Sequence, residues 1–252
     1  MSAAVVAALF WFMEKRIIVV GASSGIGRGL AEVYAKAGWR VGVTGRRKEL
    51  LIAFKAKYPK NVFWSDFDVA KDDVEEKLTG LTNELGGLDL LVISAGVGYQ
   101  NPALETAKEL ETVQTDVVGF LKVALWAFDY FKTHNGGHLA GISSIAGIRG
   151  LDICPSYSAS KGFEAILLES LRRKSYQEQL GISVTTIIPG FVDTAMGQSK
   201  QAFWRASVEE ASRQIYAELE KKRDKVYVTE RWRYVAFFLK FVPDFLFKRV
   251  KM

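Results

Sequence analysis

A chain of 252 residues that is 49% hydrophobic and 25% charged can bury one large α/β core, and that balance excludes a disordered chain. The lone cysteine, Cys154, excludes an internal disulfide and fits a reducing compartment; His134 and His138 lack the company of a zinc site, so no metal is assigned. The net charge of +6 is local, because residues 230–252 carry Arg231, Arg233, Lys240, Lys248, Arg249 and Lys251 against Glu230 and Asp244, which is +4 of the total. Basic residues interleaved with aromatic ones point to a surface or a partner and not to nucleic acid.

Residues 1–12 are apolar but lack the basic leader of a secretory signal. As a helix, ten such residues span about 15 Å of a roughly 30 Å hydrocarbon core and cannot cross it alone. Three readings stay open: an extension preceding a biological start at Met13, an extra packed helix, or a shallow anchor. From Arg16 onward, β-rich runs at 17–20, 40–44, 62–65, 88–94, 138–143, 183–188 and 226–228 alternate with helical patterns at 25–37, 48–57, 74–85, 104–132, 157–179 and 208–221. Repeated βαβ units of this kind predict a single doubly wound α/β domain, with about seven parallel strands and helices on both faces. Ligands of such sheets bind beyond the carboxyl ends of the strands, which directs attention to the residues after each one.

After the first strand comes Gly21-Ala-Ser23-Ser24-Gly25-Ile26-Gly27. Gly21 permits a tight turn, Gly25 lets backbone approach a pyrophosphate, and Gly27 lets the opening helix pack on the strand, so that an anion faces a helix N-terminus. The second strand ends at Gly45-Arg46-Arg47, without the carboxylate that would accept adenosine ribose hydroxyls. Paired guanidinium groups suit a 2′-phosphate, which favours NADP(H) and leaves NAD(H) as the alternative. Asp68 is either an acceptor for the adenine amino group or the cap of the next turn.

Tyr157 and Lys161 are four residues apart and share one helix face. A phenol is a poor base near neutrality, but a neighbouring ammonium and an oxidised nicotinamide both favour its anion, so the pair can exchange a proton with a carbonyl or alcohol oxygen. Ser144 can donate to the same oxygen, with Ser143 as its adjacent competitor.

On these motifs the chain resembles the short-chain dehydrogenase/reductase family over residues 16–229. The resemblance rests on the Gly21–Gly27 turn, Asp68-Val69, Ser94-Ala95-Gly96, Ser144, Tyr157-Ser-Ala-Ser-Lys161 and Ile188-Pro189-Gly190-Phe-Val192-Asp-Thr194. It implies a Rossmann-type sheet, a nicotinamide cofactor, Tyr157 as general acid/base, Lys161 on the nicotinamide ribose, and Ser144 positioning the substrate. Cofactor contacts are implied at Gly21, Ser23, Ser24, Gly25, Ile26, Gly27, Arg46, Arg47, Asp68, Val69, Ala95 and Gly96, with Pro189, Gly190, Val192 and Thr194 at the nicotinamide end. Two positions depart from the family's pattern. Ser94 stands where Asn is common. Asp116 stands where an asparagine usually completes the proton relay, and an ionised carboxylate cannot supply that amide's donor.

The expected organisation is a dinucleotide-binding and catalytic domain over 13–229, flanked by the extension 1–12 and the tail 230–252. Residues 195–204 are expected to form a substrate-side lid in which Phe203 and Trp204 either line an apolar pocket or pack as ordinary helix residues. Pro243 divides the tail into two short pieces, which either lie in a bilayer interface or pack on the domain or a neighbouring subunit. The expected function is NADPH-dependent interconversion of a carbonyl and a secondary alcohol, with a hydrophobic substrate following from membrane attachment of the tail, in a cytoplasmic homo-oligomer with peripheral contact at the inner face of a membrane. The alternative is a catalytically weak dinucleotide sensor or membrane-surface interaction protein.

Overall fold

A computed structural model describes residues 14–196 and 203–249; the expectations for 1–12 and for the middle of the proposed lid lie outside the described residues. Seven strands form one parallel sheet: β1 (Arg16–Val20), β2 (Arg40–Gly45), β3 (Val62–Asp66), β4 (Leu90–Ile93), β5 (Gly137–Ile142), β6 (Ile182–Pro189) and β7 (Lys225–Val228). Their spatial order is β3-β2-β1-β4-β5-β6-β7. The chain therefore winds one way from β1 to β3 and the other way from β4 to β7. The reversal, between β1 and β4, opens a crevice at the carboxyl edge.

Alternation within β1 divides the core. Ile17 and Val19 face one side with Leu30, Tyr34, Leu51, Phe54 and Ile215, while Ile18 and Val20 face the other with Leu78, Leu81, Phe120, Val123 and Leu168. The first layer is supplied by α1 (Gly25–Lys36), α2 (Lys48–Lys57) and α7 (Val208–Glu220). On the opposite face lie α3 (Val74–Leu85), α5 (Phe120–Thr133) and α6 (Pro155–Gln177). Each fully buried Leu, Ile or Phe side chain contributes about 1.5–3 kcal/mol, so the two layers together make the sheet the rigid support of its loop edge.

Three of the boundaries that differ from expectation have a local cause. The segment 104–132 is not one α-helix: Leu104 has φ +53°, a left-handed conformation that cannot begin a helix, and α4 runs only from Thr106 to Val113. A π-helical turn at Gln114–Gly119 then separates it from α5. The strand expected at 88–94 shortens to Leu90–Ile93, with Asp89 at its entrance held by Arg16 through Nε–Oδ2 at 2.9 Å. Finally, α6 begins at Pro155, in the first turn, where a missing N–H is tolerated.

The tail folds as α8 (Trp232–Phe241) and α9 (Asp244–Phe247), separated at Pro243. Trp232 and Ala236 are buried against the domain, whereas Tyr234, Phe237, Phe238 and Phe241 point outward. Among the described residues no helix is long and apolar enough to cross a membrane.

Candidate active site

The glycine turn closes on the β4 loop. Gly21 has φ +89°, and a side chain there would meet Ala95 N at 2.4 Å, so both the turn and the contact require glycine. Ser24 is the extended residue preceding α1, which leaves the first N–H groups of that helix directed at the crevice. Gly25 faces Thr194, and Ile26 packs partly against the core. Gly27 sits so close beneath Gly21 O that a side chain would meet it at 2.3 Å.

The two arginines after β2 part company. Arg47 donates from Nη2 to Ser23 Oγ at 2.8 Å and to Ser24 Oγ at 2.6 Å, laying its guanidinium across the turn. Arg46 points elsewhere, with Nη1 3.9 Å from Asp68 Oδ2 and 3.8 Å from Glu111 Oε1. Asp68 caps the turn after β3, where its Oδ1 accepts from Ala70 N at 3.0 Å. Val69 is buried against Gly119 and belongs to the core. A glycine cradle, an open helix N-terminus and a guanidinium beside it fit the phosphate groups of a dinucleotide.

Across the crevice, α6 presents Tyr157 and Lys161 on one face. Lys161 Nζ lies 5.5 Å from the centroid of the Tyr157 ring, and Ser144, just after β5, stands beside the phenol, where its hydroxyl favours the anion, while its Oγ accepts from Ala146 N at 3.1 Å. Ser143 is turned away: its Oγ donates to Lys161 O at 2.6 Å in a buried position. The two serines thus face different partners. Gly98 lies against the Tyr157 ring, and Gly96 lies beside Asp116 and Lys161.

Asp116 projects from the π-helical turn and is completely buried. Its Oδ1 accepts from Val97 N at 2.7 Å, and its Oδ2 is 3.6 Å from Lys161 Nζ. A second buried acid, which the motif reading overlooked, completes this group. Glu164 places both carboxylate oxygens on Lys161 Nζ, at 2.8 and 3.1 Å. Its signal was positional: Tyr157, Lys161, Glu164, Leu168, Leu171 and Ser175 follow the inward stripe of α6, in which an acid needs a partner.

Burial pushes the Asp116 carboxyl above the usual range against the pull of Lys161 and the Val97 N–H. It pushes Glu164 up to about 8, with Lys161 opposing and Asp116 reinforcing. Burial works against the Lys161 ammonium, but Glu164, Asp116 and Tyr157 hold it above the ordinary lysine value. At Tyr157 burial raises the phenol; Lys161 favours the anion as expected, helped by Ser144, and Asp116 and Glu164 oppose it.

The segment expected at the nicotinamide end continues β6. Pro189 ends the strand, Gly190 N donates to Val228 O at 2.7 Å, and Val192 is buried and bridged to Ala206. Here the tail enters the site, by a route that the sequence did not disclose. Trp232 covers Gly190 and joins Phe191, Phe203 and Trp204 in an aromatic cluster with centroids 5.1–6.0 Å from its own. On the other wall Arg149, in the loop after Ser144, donates to Val242 O at 2.8 Å and to Asp244 Oδ1 at 2.6 Å, and covers the Phe247 ring. Both walls of the cleft are therefore tied to α8 and α9. Cys154 is partly buried, and burial raises its thiol, which opposes a nucleophilic role.

A family model described as short chain dehydrogenase matches residues 15–204. An uncharacterized oxidoreductase of Myxococcus xanthus is 39% identical over 188 residues, covering 72% of this chain and 74% of that protein. A farnesol dehydrogenase of Aedes aegypti is 32% identical over 191 residues, covering 71% and 78%. Among solved structures, the closed form of serine dehydrogenase complexed with NADP+ superposes with a TM-score of 0.73 at 22% identity, covering 84% of this chain and 93% of the other.

Proposed function

The chain belongs to the short-chain dehydrogenase family of oxidoreductases, and from that premise we propose that it is an NADP(H)-dependent enzyme interconverting a carbonyl and a secondary alcohol. The observation that carries this reading is Lys161 Nζ 5.5 Å from the Tyr157 ring on one helix face, with Ser144 beside the phenol, facing the glycine turn across the carboxyl edge of the sheet.

The bound nicotinamide supplies or accepts hydride. Gly21, Ser23, Ser24, Gly25, Ile26 and Gly27 would hold its phosphates, Arg47 the 2′-phosphate that distinguishes NADP(H), and Ala95, Gly96, Pro189, Gly190, Val192 and Thr194 its nicotinamide half. Asp68 and Arg46 would stand at the adenine end, and Val69 would contribute only by shaping the core beneath it. In the reductive direction Tyr157 gives its phenolic proton to the carbonyl oxygen; in the oxidative direction it takes the proton from the alcohol. Ser144 donates to that oxygen as charge develops, and Lys161 stabilises the phenolate. Asp116, next to Lys161, takes the relay position as an acceptor.

An apolar substrate suits Phe191, Phe203, Trp204 and Trp232 at the cleft mouth, and the similarity to a farnesol dehydrogenase supports a lipid-like carbonyl. The exposed rings of α8 and α9, among Arg233, Lys240, Lys248 and Arg249, support peripheral contact with the inner face of a membrane from the cytoplasm. Exposed Leu110, Leu125 and Ile166 on α4, α5 and α6 support a homo-oligomer.

The test is a titration with NADPH and NADH followed by cofactor absorbance on a panel of ketones, aldehydes and long-chain 3-oxo compounds. Turnover should fall by about 100-fold or more in Tyr157→Phe with NADPH binding retained. Tight NADPH binding without turnover across the panel would instead favour a dinucleotide sensor.

A further inference from the structure

One ammonium here serves two buried acids. Glu164 and Asp116 have no solvent exposure, and Lys161 is the cation at both. Among the described residues the Glu164 carboxylate makes its hydrogen bonds to Lys161 Nζ alone, whereas Asp116 Oδ2 approaches the same nitrogen without a hydrogen bond. The remaining neighbour of Nζ is Ile142 O on β5, at 3.4 Å. With every group ionised, the cluster would hold one uncompensated negative charge in a dry site. Removing the lysine from Glu164 would leave a second.

The groups acting on Tyr157 come from three elements. Lys161 and Glu164 share its helix, Ser144 follows β5, and Asp116 extends from the π-helical turn before α5. An ionised Glu164 cancels the lysine charge felt by the phenol, and a protonated one restores it.

We propose that Glu164 is a positioning residue of the catalytic group: it anchors Lys161 Nζ at Tyr157 and, by gaining or losing one proton, sets the pH range in which Tyr157 exchanges a proton with substrate. This rests on the reading of Tyr157 as general acid/base. The proton balance closes without a further reactant, because the proton that leaves the Glu164 carboxyl enters solvent and returns from it as pH changes.

The experiment is the pH profile of kcat/KM for alcohol oxidation in the parent, Glu164→Gln and Glu164→Asp. Glutamine keeps the shape and removes the charge. Its rising limb should lie about one pH unit lower, which is about tenfold more activity at a pH on the parent's limb, and aspartate should return it toward the parent. A packing role alone would change the plateau and leave the limb in place, and an unmoved limb in Glu164→Gln overturns the proposal.

A second measurement needs neither turnover nor a variant. In the parent labelled with 13C at the glutamate carboxyl carbons, one glutamate should titrate well above the rest. Titration of every glutamate in the ordinary range overturns the proposal even if Glu164→Gln fails to fold. Absence of turnover in the parent together with one high-titrating glutamate would defeat the acid/base reading of Tyr157 while leaving the buried proton site in place.

Discussion

Arg47 lies across the glycine turn with Nη2 2.8 Å from Ser23 Oγ, while Arg46, its neighbour in sequence, faces Asp68 and Glu111. Adjacent residues leaving the end of a strand point to opposite sides, so one of the pair reaches the turn and the other reaches the acids that flank it.

Cofactor choice should therefore depend on Arg47 far more than on Arg46. Arg47→Ala is expected to weaken NADPH binding by about 10- to 100-fold, as loss of a charge-assisted phosphate contact does, and to change NADH binding by less than about threefold. Arg46→Ala should change both cofactors little. Fluorescence titration of the tryptophans measures this directly, and equal losses of NADPH and NADH in Arg47→Ala would defeat the assignment to NADP(H).

The two serines after β5 should differ sharply in their effect on the rate. Ser144→Ala removes the hydroxyl beside Tyr157 and is expected to lower kcat by about 10- to 1000-fold, with a stability loss of about 1 kcal/mol or less because the same oxygen accepts from Ala146 N at 3.1 Å. Ser143→Ala removes the buried bond to Lys161 O and should cost about 1 kcal/mol in stability. Steady-state rates and urea unfolding on both variants check the pair, and the reverse pattern would show that Ser143 faces the substrate.

What the sequence disclosed and what it hid follow from the range of the interactions. Strands β1 and β4 are near-continuous apolar runs because both faces of the sheet are covered, so they are readable from a few residues. Tyr157 and Lys161 were readable because a helix converts a four-residue spacing into a shared face. Glu164 obeys the same geometry from Lys161, but an acid three residues after a lysine looks like a surface ion pair until the burial of α6 is known. The divergence of Arg46 and Arg47 depends on neighbours distant in sequence. So does the bond from Arg149 to Asp244, which no local pattern encodes and which makes the tail part of the cleft. The helix expected over 104–132 starts two residues late at the left-handed Leu104 and is divided by the π-helical turn at Gln114–Gly119, neither of which composition reveals.

The tail should bind anionic bilayers through its outer face. Phe237, Phe238, Phe241 and Phe245 are each more than half exposed, and basic residues lie on the same two helices. Such a face inserts its rings at the acyl boundary and places its cations among headgroups. Co-sedimentation with vesicles of phosphatidylglycerol and phosphatidylcholine should retain the protein and decline with added salt, and Phe237→Ser combined with Phe238→Ser should reduce retention about tenfold or more. Equal retention of parent and variant, or a concentration-dependent dimer lost in the variant, would assign the face to protein packing instead.

Acid stability should report His138, which no catalytic step uses. The ring is buried on β5, with Nε2 2.8 Å from Thr185 Oγ1, and burial, aided by Lys222, lowers its pKa from 6.5 to about 4. Because the folded value is depressed, the unfolded chain binds the extra proton first as pH falls. The stability is complete above about 6.5 and is lost as pH drops toward about 4, an effect of about 3 kcal/mol at most. Carboxylates also titrate in this window, so the parent must be compared with His138→Gln, which offers the threonine an amide and does not ionise. Urea midpoints at pH 7 and pH 4.5 should converge in the variant relative to the parent. Parallel losses in both proteins would place the acid sensitivity elsewhere, since a histidine already charged in the folded chain would give no difference between them.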